Sequence, residues 1–127
     1  MQDQPRPEVL VSATADFLKR EILPITEGAR AFHLRVALNA LDLVTRQLNL
    51  AAKSDTAEAE RLDMLLGRQG SLEYLNRALC DLIASGEFTV ATPGLKDHLW
   101  ATTMAKLAVD QPNYASYRLA LEEEAGR

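Results

Sequence analysis

Residues 29–50 read ARAFHLRVALNALDLVTRQLNL, an uninterrupted run with neither glycine nor proline. Most of its residues are strong helix formers, and its apolar positions recur at intervals of three and four. At about 100° per residue, Phe32, Val36, Ala40, Leu43, Val44, Ala37, Leu48, Leu41 and Leu34 fill an arc of roughly 200°. An ordinary surface helix needs little more than about half of that. The spacing therefore predicts a central helix. Either other helices pack against it on two sides, or the fold covers one side and a second subunit the other.

The flanking segments read as shorter helices around this one. Pro7 sits where a helix tolerates proline best, and residues 7–23 gather Leu10, Val11, Phe17, Leu18 and Ile22 on one side before Pro24 stops them. Ser54 and Asp55 offer capping oxygens, with Glu58 at capping-box spacing, so a separate short helix is expected to end at Gly67. Ser71 can cap a fourth, carrying Leu72, Leu75, Leu79, Leu82 and Ile83. Thr92 and Pro93 form a cap and first-turn signature for a fifth, whose Trp100, Met104, Leu107, Ala101, Ala105, Ala108 and Val109 give a second very wide apolar face. Asn113 can cap a last short helix with Tyr114, Tyr117 and Leu121 on one side. Glu122, Glu123 and Glu124 put negative charge at the negative end of its dipole, which predicts fraying over 122–127; polar residues 1–6 are expected to fray too. The expected fold is all-α: a single-domain, up-and-down helical bundle spanning 1–127, with five main helices and a short C-terminal one.

Composition agrees with a helical reading. In 127 residues, 47% are hydrophobic but only 6% aromatic, so a core must be built from Leu and Ala. A net charge of −4 argues against a phosphate-binding surface, and no nucleic-acid partner is expected. A lone cysteine, Cys80, excludes an intramolecular disulfide and points to a reducing compartment. Residues 1–20 lack the basic start and apolar run of a signal peptide, and no run of about 18 apolar residues occurs, so the expected location is cytoplasmic with no membrane partner.

Chemistry is thinly marked. His33 lies in the middle of the wide arc and His98 at the edge of the later one; each is a candidate general base or ligand contact, and equally a histidine satisfied within a core. Neither has a carboxylate at i+3 or i+4, and with Cys80 they leave too few soft ligands for zinc, so no metal or other cofactor is expected. Arg35, Asn39, Asp42 and Arg46 recur at spacings of four, three and four, away from the core. Their two arginines can hold a carboxylate or phosphate through forked hydrogen bonds, although Asp42 offsets part of that charge and such a stripe is ordinarily solvated. Cys80 has no histidine near it in sequence, the serines lack a nucleophile-elbow setting, and the glycines stand singly. Tyr114 and Tyr117 are placed to cover a ligand or to lock the terminal helix down. No catalytic residue is assigned.

Two stretches, Ala31-Phe32-His33-Leu34-Arg35-Val36-Ala37-Leu38-Asn39 continuing to Arg46-Gln47-Leu48, and Leu107-Ala108-Val109-Asp110-Gln111-Pro112-Asn113-Tyr114-Ala115-Ser116-Tyr117, together resemble a family of small bacterial helical proteins designated a domain of unknown function. Genes of that family stand beside those for aminoglycoside-phosphotransferase-like kinases and acyl-CoA dehydrogenases. The likeness extends over nearly the whole chain, with Gln111 standing where the family has Asn. It implies an accessory role near acyl-CoA or phosphotransfer metabolism, with a kinase-like protein or a dehydrogenase as a partner, and it brings no catalytic residues.

Two functions are therefore expected to compete. One is a non-catalytic assembly module, most simply a homodimer, because the two wide arcs exceed what a small bundle covers. The other is a binder of an acyl-CoA or phosphorylated ligand, or a minor enzyme, with His33, Arg35, Asn39, Arg46, His98 and Tyr114 around a pocket between helices.

Overall fold

The computed structural model describes residues 4–126. Among these it is all-α, with five α-helices and no strand: α1 (Pro7–Phe17), α2 (Gly28–Leu66), α3 (Leu72–Ala84), α4 (Leu95–Asp110) and α5 (Ala115–Ala125). The chain groups into two compact units, Met1–Ala51 and Ala52–Arg127.

In the first unit, α1 opens with Pro7 in its first turn, and Arg6 pairs with Glu8 at 2.9 Å. Pro24 does not end the helical path outright. The chain widens into a π-helical turn at Leu18–Ile22, then tightens into a 3-10 turn at Leu23–Ile25 that contains the proline. Pro24 has no N–H, and in an α-helix its ring would collide with the Arg20 carbonyl, so a changed bonding pattern around it is the expected outcome. Thr26 closes the segment: its N–H donates to the Leu23 carbonyl, and its hydroxyl donates to the Ile22 carbonyl at 2.6 Å.

The main departure from expectation concerns α2. It runs unbroken for 39 residues, so the expected break at Ser54 and Asp55 does not occur and two anticipated helices are one. Ser54 and Asp55 are flanked by Ala51, Ala52, Lys53, Ala57, Glu58 and Ala59, all good helix formers, with no glycine or proline to stop propagation. Thr56 turns its hydroxyl back onto the Ala52 carbonyl at 2.8 Å rather than competing with the helix.

Burial on the first part of α2 also differs from the expected register. The buried residues are Ala31 and Leu38, with Leu34, Leu41 and Thr45 half-buried, while Ala15 is the buried residue of α1. Intervals of three and four from 31 to 45 put these on one face. Leu38 lies outside the wide apolar arc, so most of that arc faces away from the buried side.

The second unit contains the remainder of α2 together with α3, α4 and α5. Gly67, at φ 63°, adopts the left-handed conformation that ends α2, and its N–H donates to the Asp63 carbonyl at 2.8 Å. Ser71 caps α3 as expected, accepting from the Tyr74 N–H at 3.2 Å. The core is Leu62 of α2, Leu75 and Leu79 of α3 and Leu95 of α4, with Leu65, Leu66, Leu72 and Phe88 packed against it. α4 starts two residues beyond the expected Thr92–Pro93 signature, with Gly94 at the N-cap in the left-handed region. Thr92 instead closes the preceding turn, accepting from the Thr89 N–H at 2.9 Å. Tyr114 rather than Asn113 is the N-cap of α5. That helix is formed through Ala125, beyond where fraying was expected, and the Trp100 indole N–H reaches Glu124 at 2.9 Å. Of the residues expected to fray, 1–3 and 127 lie outside the described ones. No helix among the described residues is long and apolar enough to cross a membrane.

Candidate functional site

Four of the six candidate ligand contacts lie in the first unit and two in the second. On α2, His33, Arg35 and Asn39 are exposed, and Arg46 is half-buried beside half-buried Asp42. The polar stripe therefore flanks the buried face rather than opposing it. What opposes the buried face is apolar. Phe32, Val36, Val44 and Leu48 are 61%, 51%, 42% and 44% exposed, with exposed Ala37, Ala40 and Leu43 among them. His33 sits within this face, and its ring meets Phe32 edge-on at 5.6 Å. Leaving so much contiguous apolar side chain in water is unfavourable by roughly 25 cal/mol per Å². Such faces mark association sites in soluble proteins.

The second wide arc, on α4, resolves differently. Trp100 is partly exposed, but its N–H is bonded to Glu124, which ties it to α5. Tyr114 is exposed at the N-cap of α5.

His98 proves to be buried, at 3% exposure, rather than lying at the edge of a face. Around it the second unit holds a group of polar side chains that sequence spacing did not single out. Asn76 donates to Glu58 at 2.7 Å, and Arg61 Nη2 reaches Thr102 Oγ1 at 3.5 Å, long for a hydrogen bond. Arg61 Nε and His98 Nδ1 are both buried without a hydrogen-bond partner. Arg61 and His98 help line a cleft of about 290 Å³, together with Met64, Leu65, Pro93, Gly94 and Asp97. The signal that could have found it is modest: Glu58, Arg61 and Leu65 recur at three and four, next to the deeply buried Leu62.

Burial pushes the His98 imidazole below its ordinary value, the nearby Arg61 charge adds to this, and Glu58 opposes it. The native state therefore binds fewer protons at this site than the unfolded chain does. Stability should fall as pH is lowered from about 6.5 through the depressed native value, and should be free of this penalty above about 6.5. Thermal melts at pH 7.5 and pH 5 check this: His98→Leu should lose less stability on acidification than the parent chain, and an equal loss would contradict it.

Among the described residues no group of His, Cys, Asp and Glu could hold a metal ion, and Cys80 is exposed. In comparison with known proteins, residues 24–114 match a family model described as Domain of unknown function (DUF6285). No curated protein and no solved structure matches the chain.

Proposed function

The chain belongs to this DUF6285 family, and on that premise we propose that it is a non-catalytic assembly module that pairs with a second copy of itself through the open face of α2. The observation that carries this reading is the order of residues on that face. Phe32, Val36, Ala40, Val44 and Leu48 form one ridge at intervals of four, and the ridge is nearly symmetric about Ala40. A two-fold axis at Ala40 sets antiparallel copies so that Phe32 meets Leu48, Val36 meets Val44, and Ala37 meets Leu43. Ala40 then meets itself, and His33 lies opposite Gln47, two side chains able to share a hydrogen bond.

Isologous pairing requires such self-complementarity, since residue i must meet j wherever j meets i. Packed helices bring their axes about 8–10 Å apart where they cross. The smallest residue stands at the crossing, where the axes come closest. A chemically different partner would have no reason to require this symmetry.

The resemblance to small bacterial proteins encoded beside phosphotransferase-like kinases and acyl-CoA dehydrogenases supports placing the module in the bacterial cytoplasm. There it would serve as an accessory to acyl-CoA or phosphotransfer metabolism, with such a kinase or dehydrogenase as its further partner. Light scattering on the purified chain at micromolar concentration tests the pairing. The expected mass is twice the 14.0 kDa of one chain, and a single-chain mass at every concentration would overturn it.

A further inference from the structure

We propose that the cleft at the start of α4 binds a small carboxylic acid with an apolar body, its carboxylate held by Arg61 and His98. This goes beyond the assembly role and does not rest on it; the cleft is formed by residues of the second unit alone.

Three observations converge on an acid. Arg61 Nε and His98 Nδ1 are buried without a partner, and His98 is almost completely withdrawn from solvent while forming part of the cleft wall. Leaving a buried polar atom unpaired is unfavourable, and because neither atom has surface open to water, a ligand oxygen meets this unmet hydrogen-bonding capacity as the cleft side chains shift to admit it. The guanidinium is the side chain best shaped to receive a carboxylate. The cleft also adjoins the N-terminus of the 16-residue α4, whose N-cap is Gly94, and no side chain caps it. The Leu95 N–H already donates to the Thr92 carbonyl at 3.2 Å, and the remaining first-turn N–H groups and the positive dipole end favour an anion.

The remaining lining sets the kind of acid. Met64, Leu65 and Pro93 present apolar surface suited to a hydrocarbon body. Asp97 contributes one negative charge at the same cleft, which disfavours a doubly charged phosphate more than a monoanion. A dry cavity of about 150 Å³ accepts benzene. By that measure, about 290 Å³ has room for a six- to eight-carbon acid but not for a whole acyl-CoA.

The test uses the full chain, with the ring nitrogens of His98 followed by ¹⁵N NMR during titration with hexanoate, benzoate and inorganic phosphate. Hexanoate or benzoate should give a saturable shift at His98, and phosphate should bind more weakly. The bound carboxylate should raise the His98 titration midpoint, because a neighbouring negative charge favours the imidazolium. Arg61→Gln should weaken binding by roughly tenfold or more. Asp97→Asn, at an exposed position and so safe for folding, should tighten it. The proposal is overturned by the absence of a saturable shift with either acid up to about 10 mM, a binding free energy near −3 kcal/mol or weaker. It is also overturned if phosphate binds as tightly as the acids, or if affinity is unchanged in Asp97→Asn.

Discussion

Ala40→Glu is expected to abolish self-association while leaving the helix content of the chain unchanged. In the proposed pairing the two copies meet at Ala40, so one substitution places two carboxylates against each other where the helix axes are closest. Juxtaposed like charges at an interface cost several kcal/mol. Since about 1.4 kcal/mol corresponds to a tenfold change, the dimer should weaken by roughly 100-fold or more. The substitution should not damage the chain itself. Position 40 is exposed, and glutamate is nearly as good a helix former as alanine. Sedimentation at micromolar concentration should report one chain for the variant and two for the parent, with matching far-UV circular dichroism. A variant that still sediments as a dimer would remove Ala40 from the contact.

Leu62→Ala should be the most damaging substitution in the second unit. Leu62 has no exposed surface and lies in the cluster with Leu75, Leu79 and Leu95. Truncating it removes its transfer free energy and leaves a cavity, together about 2–5 kcal/mol. Against a total stability of about 5–15 kcal/mol, that should lower Tm by roughly 10 °C or more. Met64→Ala provides the contrast two residues away on the same helix. Met64 is 78% exposed, and its truncation should stay within about 0.5 kcal/mol. Equal effects at the two positions would contradict the packing described.

Much of the helical path was legible because three- and four-residue periodicity, Pro7, Ser71 and Gly67 all act locally. Ser54 and Asp55 misled for a physical reason. A capping residue favours a helix start only where the preceding chain is free to leave the helix, and alanines on both sides hold it in. The register of burial on α2 was not legible either. An arc of roughly 200° carries no local mark of which part will be covered. The covered face includes Leu38, which the arc omitted, and that choice is made by tertiary packing. His98 was visible as a candidate, but Arg61 was not. Their proximity depends on how α2 and α4 pack within the second unit, and no spacing within either helix encodes it. Among the other candidates, His33 is drawn into the apolar face, whereas Arg35 and Asn39 stay on an exposed flank.

Cysteine cross-linking tests the central claim of antiparallel pairing about Ala40 most directly. In a Cys80→Ser background, which removes the exposed native thiol, Ala40→Cys chains should oxidise to a covalent dimer. A disulfide needs Cα atoms about 4.4–6.8 Å apart, a separation that self-paired residues reach at the two-fold axis. Val36→Cys should cross-link poorly with itself and readily with Val44→Cys chains. The absence of a covalent dimer at position 40, or efficient pairing of position 36 with itself, would contradict the account.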